Sequence, residues 1–563
     1  MNSTGLREAL GEWTALLGEE HVVTEAGETE AAGTATFATG NRVPAVLRPG
    51  VREDVQECLR IARQHGVPVY PISGGRNWGY GSRVPAADGS VLLDLRRLNR
   101  ILDFDERLGY VTIGPGVTQG QLYQFLRDHR SHLWMDATGA STEASVVGNA
   151  VERGFGHTPY GDRFSHVCGM EVVLPDGSCI ETGFHSYPGA RSAGVYRWGL
   201  GPSLDGLFTQ SNFGIVTRIT LWLMPAPEYF QAFFFRCDQE AGLGPLIEAV
   251  RPLRMNGTLR STVHIGNDYK VLSGLRQYPW AETGGVSPLG PAHMRQFRKE
   301  LRFGVWNGSG GLYGTRGQVA EARGLLRKAL RGKADKLQFI DDRLLALATR
   351  FAPAFRLVSG WDLSRTLELL KPIYGLMKGV PTDKPLESAY WRKRVPAPEH
   401  MNPDRDRCGL LWYAPVVPAT GEDAEALTRL VCAMVLEHGY EPMISMTMVT
   451  ERCLTCVISI SYDRDIPGED ERAMACYGAL RDGMIARGNY SYRLGVQSMM
   501  EASLATGSSH FLQGLKGFLD PAGILAPSRY VSAPKVQDRE ASSVERLAAA
   551  VAPREATSIE IQT

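Results

Sequence analysis

The sequence predicts an α+β fold, because helix-like and strand-like segments alternate with glycine-bearing turns through its first 225 residues. Arg52 to His65 has an apolar stripe of helical spacing and is followed by Gly66, a residue typical of a helix end. The apolar run Val67–Tyr70 is predicted to be a strand, and Val91–Leu95 the next one. A loop dense in glycine lies between these two strands, and the other elements are interpreted around it.

That loop runs from Pro71 to Gly81 and carries four glycines in eight positions. Such a run lets backbone N–H groups turn towards one point and lets a ligand approach the main chain closely. Phosphate or pyrophosphate is the usual occupant of such a nest. The pattern is neither G-x-G-x-x-G opening a helix nor G-x-x-x-x-G-K-[ST], which counts against a Rossmann NAD site and a P-loop. A plain tight loop is the alternative.

The remaining elements of the first part are predicted in chain order. Residues 6–18 have helical spacing, and Thr118 is a plausible N-cap for the helix that follows it. Asp176-Gly177 is a hairpin signal between two strand-like runs. The other segments are a loop-like stretch at 20–43, strands at 45–47, 109–113 and 219–224, and a boundary at Pro225 and Pro227.

Composition excludes several function classes. The protein has 563 residues, enough for two or three domains, and Lys+Arg and Asp+Glu both number 61, which gives no support for a nucleic-acid partner. The nine cysteines are scattered, and the first residues lack a secretory signal, so we expect reduced thiols in a cytoplasmic protein. No apolar run approaches the ~20 residues of a membrane span. The 12 histidines show no metal-ligand spacing.

The types of segment and the residues in the loops change near residue 229, which suggests a second domain. The segment 229–489 combines apolar strands and helices with loops rich in Trp, Tyr and Arg, which we interpret as a substrate-covering domain. We therefore predict a first part at 1–228, a cap at 229–489, a return to the first domain at 490–533 and a surface tail at 534–563.

Seven motifs occur in one order, and together they resemble the FAD-binding oxidoreductases of the vanillyl-alcohol oxidase / p-cresol methylhydroxylase family. They cover most of residues 45–225 and 490–530. The motifs are the loop 71–81, Gly148 to Gly154, Thr158 to Asp162, Gly169 to Leu174, Asp205 to Phe208, Gly214 to Thr217, and Asp520 to Pro527.

The resemblance implies a two-part FAD-binding domain with an inserted α/β cap. It also implies that the 71–81 loop cradles the FAD pyrophosphate and that Arg529 approaches the far end of the cofactor. A surface ion pair between Glu152 and Arg153 is the alternative for those two residues. The cofactor-binding residues expected on this basis are Pro71, Ile72, Ser73, Gly74, Gly75, Arg76, Asn77, Gly139, Ser145, Gly148, Asn149, Glu152, Arg153, Gly156, His157, Gly214, Ile215, Val216, Arg493 and Arg529.

In phenol-oxidising members, two tyrosines and an arginine hold the substrate as a phenolate, and Tyr80, Tyr492 and Arg493 match them. A free phenol has a pKa of about 10, and a guanidinium in contact favours the anion by roughly 1–3 units. Two phenolic O–H donors add charge-assisted hydrogen bonds. The phenolate then lets hydride leave the benzylic carbon, and a quinone methide remains. The alternative is that the tyrosines only pack and that Arg493 binds only the flavin.

Two departures from the family pattern stand out. Many members carry an aspartate just before the Gly148 motif, but Thr138 to Ala144 has none, and Glu143 either replaces it or is displaced. Many members also attach FAD to a histidine or tyrosine on a cap strand. The matching stretch, Glu451 to Ile458, contains neither, so we expect non-covalent FAD.

Two further residue types allow more than one interpretation. Cys453 and Cys456 form a C-x-x-C by count, but positions i and i+3 of a strand face opposite sides, so neither a metal site nor a thioredoxin-like motif fits. They are expected to be buried thiols, with a flavin–cysteine link as the alternative. His157 could tune the flavin, act as a base or be structural.

We therefore expect an FAD-dependent oxidoreductase acting on a para-substituted phenol, with O2 or another electron acceptor and a homo-oligomeric, dimeric assembly. One alternative is a flavin oxidase or dehydrogenase for a larger biosynthetic substrate, which the altered aspartate segment favours. The other is a flavin-binding protein without turnover, which the set Tyr80, Tyr492 and Arg493 disfavours.

Overall fold

Three sheets and a two-stranded pair carry the fold in the computed structural model, which describes residues 3–359, 363–499 and 507–532. The strands are β1 Val22–Val23, β2 Val46–Leu47, β3 Val69–Ile72, β4 Val91–Asp94, β5 Ile101–Asp105, β6 Tyr110–Ile113, β7 Leu133–Trp134, β8 Val167–Val173, β9 Cys179–Glu181, β10 Ile215–Trp222, β11 Met224–Pro225, β12 Tyr229–Cys237, β13 Val263–Asn267, β14 Trp306–Gly314, β15 Lys336–Ile340, β16 Cys408–Tyr413, β17 Val416–Pro418, β18 Met443–Met448 and β19 Cys453–Asp463.

The helices lie mainly between these strands and on the outer faces of the sheets. They are α1 Ser3–Leu17, α2 Ala26–Ala32, α3 Arg52–His65, α4 Gln119–Asp128, α5 Val146–Val151, α6 Leu243–Met255, α7 Asp268–Leu275, α8 Pro291–Leu301, α9 Arg316–Leu330, α10 Asp342–Ser359, α11 Leu363–Leu376, α12 Gly421–Glu437, α13 Glu469–Ile485, α14 Val496–Met499 and α15 Gly507–Leu519.

The first sheet has the order β1-β2-β4-β3, and β4 pairs in parallel with both β2 and β3. The predicted helix stripe is confirmed, because α3 buries Val55, Leu59 and Ala62 and ends at Gly66 in the left-handed conformation, φ +64°. These side chains join the same buried cluster as β3 and β4. The packing fixes the end of β3, from which the glycine loop starts.

The second sheet is antiparallel in the order β5-β6-β10-β8-β9, with the predicted Asp176-Gly177 turn joining β8 to β9. Gly177 takes φ +82° and its N–H donates to Leu174. The predicted cap at Thr118 is also confirmed, because its hydroxyl accepts a hydrogen bond from the N–H of Gln121. Helix α5 packs its apolar side chains into the same cluster as β6, β8 and β10.

The third sheet is antiparallel in the order β15-β12-β14-β13-β18-β19-β16, and β17 also pairs with β19. All its strands lie within the predicted segment 229–489. One face packs against α6, α9, α12 and α13 through alternate residues such as Ile265, Met446 and Ile458. Because strand side chains alternate between faces, the residues between them face the opposite way, towards the functional site.

The return of the polypeptide after residue 490 rejoins the first sheet. The N–H of Val69 donates to Ile524, and the N–H of Ala526 donates back to Val69, at 2.9 and 2.7 Å. Ile524 and Leu525 are buried in the same cluster as α3. This brings Arg529 next to the start of the glycine loop.

Two local predictions were incomplete. The stretch 20–43 was expected to be loop-like, yet Ala26–Ala32 forms α2, whose alanines and glutamates have high helix propensity. Strand β5 was missed because it is an exposed edge strand without an apolar core pattern. The predicted tail at 534–563 lies outside the described residues.

Over the described ranges, no helix is both long and apolar enough to cross a membrane. The same ranges hold no group of three or more His, Cys, Asp or Glu side chains that could bind a metal ion. All nine cysteines are free thiols, and Cys456 is buried on β19 while Cys453 is half-buried.

Candidate active site

A cavity of about 450 Å³ lies between the glycine loop and the third sheet. Every residue from Pro71 to Asn77 lines it, as do Tyr80, Tyr492 and Arg493. The other expected cofactor residues in its lining are Gly139, Ser145, Gly148, Asn149, Glu152, His157, Gly214, Ile215, Val216 and Arg529. The predicted cofactor-binding and substrate-binding residues therefore meet in one space.

The glycine loop offers free hydrogen-bond donors to this cavity. Among the described residues, none accepts a hydrogen bond from the amide N–H groups of Gly74, Gly75, Arg76 or Asn77. Gly75 and Gly79 take φ +68° and +78°, a conformation that favours glycine. Unpaired backbone donors that line a cavity fit the phosphate groups of a dinucleotide, so the loop suits FAD and the plain-loop alternative is disfavoured.

Helix α5 approaches the glycine loop closely because residue 148 has no side chain. A Cβ at Gly148 would collide with the Ser73 hydroxyl. The N-terminus of α5 is capped by Ser145, whose hydroxyl accepts a hydrogen bond from the N–H of Gly148 at 2.9 Å. The spacing between loop and helix is thus set by a single glycine.

Glu152 joins two arginines that come from distant parts of the sequence. Its Oε1 pairs with Arg529, and its Oε2 accepts a hydrogen bond from Tyr530 at 2.9 Å and lies 3.3 Å from Nε of Arg493. All three charged side chains are largely buried, and one positive charge remains uncompensated within the trio. The alternative of a Glu152–Arg153 surface pair is wrong, because Glu152 is buried and has other partners.

Tyr80, Tyr492 and Arg493 form a second cluster. The Arg493 guanidinium carbon lies 4.6 Å from the centroid of the Tyr80 ring, and its Nη2 donates to the side-chain oxygen of Asn77 at 2.6 Å. The Tyr80 hydroxyl is buried and makes no hydrogen bond of ordinary geometry among the described residues, although the Tyr492 hydroxyl is close enough to affect its pKa. A buried hydroxyl without a partner is costly, so this atom is available to a ligand.

The side chains of Tyr80 and Tyr492 are both kept neutral by their surroundings. Burial, and then the neighbouring phenol of Tyr492, raises the pKa of Tyr80, while Arg493 opposes this. Burial also raises the pKa of Tyr492, against the lowering effect of Arg493. Two neutral O–H donors beside one guanidinium are suited to hold an oxyanion.

The third sheet forms the opposite side of the cavity, which we call the sheet wall. It is built from alternate residues of β13, β18, β19 and β16, whose intervening residues belong to the buried core. Trp412 connects this wall to the tyrosine cluster, with its ring edge-on to Tyr80 at 5.5 Å. The wall consists of His264, Met443, Ser445, Thr447, Val457, Ser459, Leu410 and Trp412.

His157 stacks on His264 of the sheet wall, with ring centroids 4.2 Å apart. Burial lowers the pKa of His157 to about 4, and burial and His157 lower that of His264 well below its ordinary value. Both rings are therefore neutral at physiological pH. His264 is held by hydroxyls on both ring nitrogens, from Thr447 at 2.9 Å and Thr262 at 3.2 Å.

A buried ion pair between Asp136 and Arg163 supports the loop that carries His157. The Asp136 carboxylate accepts hydrogen bonds from the N–H and hydroxyl of Thr158 at 3.0 and 2.7 Å and lies 3.1 Å from Nη2 of Arg163. A Cβ at Gly156 would collide with the same carboxylate. Asp136 is thus a positioning residue that no motif in the sequence singles out.

Three residues considered for the site do not line the cavity. Glu143 pairs with Arg76 and its side chain is 64% exposed, so it is displaced rather than a replacement for the absent aspartate. Arg153 adopts φ +51° and its guanidinium donates to the Thr209 hydroxyl. Gly156 approaches the Asp136 carboxylate instead. Cofactor contacts for Arg153 and Gly156 stay a prediction.

The sheet wall and Lys270 were not predicted from the sequence. Lys270 follows β13, at the start of α7, and its half-buried side chain lines the cavity. A signal for the wall exists in retrospect, since Ser445, Thr447 and Ser459 interrupt apolar strands at every second position. The short connection 449–452 joins β18 and β19 as a hairpin, but nothing local in the sequence indicates that β13 and β16 lie beside them.

Comparison with known proteins agrees with this geometry. Residues 43–183 match the family model described as an FAD binding domain. The protein is 46% identical to the 1'-carboxy-chondrochloren decarboxylase of Chondromyces crocatus, with 94% of this sequence and 98% of the relative covered. It is 30% identical to the flavoprotein subunit of the hydroxylating 4-cresol dehydrogenase of Pseudomonas putida, with 93% and 95% covered.

A solved structure extends the match to three dimensions. The 4-ethylphenol oxidase of Gulosibacter chungangensis, in an isoeugenol complex, superimposes with a TM-score of 0.86 at 29% identity. The match covers 95% of this protein and 98% of that structure. Fold, glycine loop and relatives agree over nearly the whole length, and FAD is the cofactor for which the site is built. The protein belongs to the vanillyl-alcohol oxidase / p-cresol methylhydroxylase family of FAD-dependent oxidoreductases.

Proposed function

We propose that this protein removes a hydride from the benzylic carbon of a para-substituted phenol, which it binds as a phenolate between Tyr80, Tyr492 and Arg493. The observation that carries the proposal is the buried Tyr80 hydroxyl, which makes no hydrogen bond of ordinary geometry among the described residues and lies in the cofactor cavity beside Arg493. FAD, when bound, is the hydride acceptor.

Each of the three residues has a separate task. Arg493 lowers the pKa of the bound phenol, because its guanidinium stabilises the anion. Tyr80 and Tyr492 donate hydrogen bonds to the same oxygen and are kept protonated by burial. Asn77 and Glu152 hold Arg493 in position through the 2.6 Å hydrogen bond and the 3.3 Å ion pair. The phenolate supplies electron density to the para carbon, so the benzylic hydride leaves and a quinone methide remains.

The cavity provides little to process that quinone methide. Among its described lining residues Glu152 is the sole carboxylate, and Arg493, Arg529 and Tyr530 already occupy it. The segment from Thr138 to Ser145 contributes no acidic side chain to the cavity. A route that needs a carboxylate base to activate water is therefore poorly supported.

A second candidate function follows from this deficit, namely oxidation of a larger biosynthetic phenol that ends in loss of CO2. The 46% identity to a 1'-carboxy-chondrochloren decarboxylase favours it. If the carbon next to the benzylic carbon bears a carboxylate, breaking its bond to CO2 supplies the electron pair for a new C=C bond. The ring regains its aromatic phenolate, and no base is required.

We also propose that FAD is held without a covalent bond and that O2 or another acceptor reoxidises it. Neither Cys453 nor Cys456 lines the cavity, and the stretch Glu451–Ile458 offers no histidine or tyrosine. A dimeric assembly and a cytoplasmic location remain predictions.

An isotope experiment tests the hydride step. Anaerobic flavin reduction is followed with 4-ethylphenol and with its benzylic dideuterated form. Transfer of the benzylic hydride predicts a rate several-fold lower for the deuterated compound. Equal rates for the two compounds, at saturating concentration, would argue that another bond is broken or that another step limits the rate.

A further inference from the structure

We propose that Lys270 binds a carboxylate on the side chain of the phenolic substrate and so selects carboxylated phenols. This inference rests on the proposed phenol oxidation and specifies its substrate class.

The first support is that Lys270 is a cation without a counter-ion. Each other cation of the cavity has a carboxylate partner, since Arg76 pairs with Glu143, while Arg493 and Arg529 share Glu152. Over the described ranges, no carboxylate lies within ion-pair distance of the Lys270 ammonium group. A partly buried charge that no protein group compensates is normally paired with something else, here a ligand.

The second support is the surroundings of Lys270. The side-chain stem lies over Gly266, where a Cβ would stand 3.7 Å from Cγ of Lys270. Gly266 pairs with Ser445 across β13 and β18, so the lysine reaches the cavity beside a hydroxyl-bearing part of the sheet wall. The Ser459 hydroxyl, which is buried without a partner among the described residues, lies further along the wall on β19, between Met443 and Trp412. An ammonium group beside the Ser445 part of the wall suits a carboxylate better than an alkyl group.

The third support is the distance between the two polar ends of the cavity. Trp412, which touches Tyr80, lies on β16, whereas Lys270 follows β13 and is three strand spacings away in the order β13-β18-β19-β16. At ~4.8 Å per spacing, the two strands are about 14 Å apart. The two binding groups therefore lie at different places along the wall, so the phenol oxygen and the side-chain carboxylate of one substrate would contact separate groups.

The effect of burial on the pKa of Lys270 is consistent with a role as a carboxylate ligand. Burial lowers the pKa of Lys270 to about 8, and no neighbouring carboxylate opposes that effect. At neutral pH the ammonium form still dominates, while the paired histidines of the cavity are neutral. An incoming carboxylate would restore the balance of charge.

Oxidation and loss of CO2 then account for all atoms and electrons of the substrate, and no reagent other than the flavin reacts with it. The benzylic C–H bond breaks and its hydride goes to the flavin, so the phenolate is oxidised by two electrons and FAD is reduced. The bond between the adjacent carbon and CO2 then breaks, and its electron pair forms a C=C bond to the former benzylic carbon while the ring returns to phenolate. An electron acceptor, O2 or another, reoxidises the flavin. Lys270 orients the carboxylate and takes no proton.

The test compares two probe molecules that differ only in charge, 3-(4-hydroxyphenyl)propanoate and its primary amide. Anaerobic titration of flavin reduction gives an apparent Kd and a limiting rate for each, and 4-vinylphenol and CO2 are measured as products of the propanoate. The variants are Lys270→Met and, as a control, Lys328→Met, which replaces an exposed lysine of α9.

We expect Lys270→Met to raise the apparent Kd for the propanoate by roughly tenfold or more, with little change for the amide and none in Lys328→Met. Equal weakening of both probes, or no weakening of either, would overturn the role of Lys270. If neither probe reduces the wild-type flavin, phenol oxidation itself fails, which is a different outcome. If the amide loses turnover in Lys270→Met while its binding is kept, Lys270 is a base and not a carboxylate ligand.

A second measurement uses the wild-type holoenzyme, so it does not depend on how the variant folds. The apparent Kd for the propanoate should increase as pH rises through about 8, where free Lys270 loses its proton, whereas the Kd for the amide should stay flat. Parallel pH profiles for the two probes would contradict the proposal.

Discussion

The guanidinium carbon of Arg493 lies 4.6 Å from the centroid of the Tyr80 ring, although the two residues are more than 400 positions apart in the sequence. The contact is possible because the segment after residue 490 returns to the first sheet, where the N–H of Val496 donates to the carbonyl of Tyr80 at 2.9 Å. Donors from the glycine loop and from the returning segment thus converge on one site.

Replacing Tyr492 with Phe should lower phenol turnover by roughly tenfold or more, because one of the two phenolic donors to the phenolate is removed. Anaerobic flavin reduction by a 4-alkylphenol measures the effect. Tyr490→Phe is the matched control, since Tyr490 is two positions away and exposed. Unchanged kinetics in Tyr492→Phe would remove this residue from the mechanism.

Replacing Glu152 with Gln should destabilise the folded protein by about 3 kcal/mol, because two largely buried guanidinium groups lose their shared counter-ion. Denaturant unfolding of the purified flavoprotein measures this loss. Glu53→Gln is the control, since Glu53 forms an exposed pair with Arg52 and is expected to change stability by less than about 1 kcal/mol. Equal effects of the two substitutions would show that Glu152 does not organise the arginines.

Gly148→Ala should weaken FAD binding by roughly tenfold or more, because the added Cβ meets the Ser73 hydroxyl and pushes α5 away from the glycine loop. Fluorescence titration of the apoprotein with FAD measures the affinity. Adding Ser73→Ala should recover much of the loss, since the colliding hydroxyl is then absent. A Gly206→Ala control adds a Cβ with no atom within 4 Å. A double variant as weak as the single one would contradict the steric explanation.

Acidification should destabilise the protein partly through His157. Its pKa is lowered by burial to about 4, so between the ordinary value of about 6.5 and that point the unfolded protein binds a proton that the folded protein does not. Stability from this group is therefore present above pH 6.5 and is lost as pH falls towards 4. His157→Phe should lose less stability between pH 7 and pH 5 than wild type does, in denaturant unfolding. His510→Phe, at an exposed position, should behave like wild type.

Acid precipitation should release all of the flavin into the supernatant, because no side chain suited to a covalent link faces the cavity from residues 451–458. The absorbance of the supernatant and of the redissolved pellet measures the distribution. Yellow colour retained in the pellet would mean that the cofactor is attached covalently.

The glycine loop, Tyr80 and Tyr492-Arg493 could be predicted because they lie in short motifs whose residue types are dictated by backbone geometry or charge. Thr118 and Gly66 were likewise predictable, since capping depends on a few neighbouring residues. The conformations of these residues depend mainly on their neighbours in the sequence, so the sequence alone indicates them.

The sheet wall could not be predicted in the same way. Its polar side chains share a face because Gly266 pairs with Ser445 across two strands that are far apart in the sequence, and Met443 with Ser459 across the β18–β19 hairpin. Register between such strands is set by tertiary packing, which leaves a single sequence without a local signal. Lys270 was missed for this reason, whereas Asp136 was missed because no motif links it to Arg163, 27 positions away.

The most direct test of the phenolate mechanism is the anaerobic visible spectrum of the holoprotein, titrated with 4-alkylphenols and with their O-methyl ethers. The ethers keep the shape and the benzylic hydrogens but cannot form a phenolate. We expect the phenols to bleach the flavin and the ethers to leave it oxidised. Bleaching by both series at comparable rates would contradict the phenolate mechanism, and a flavin that neither series bleaches would contradict phenol oxidation altogether.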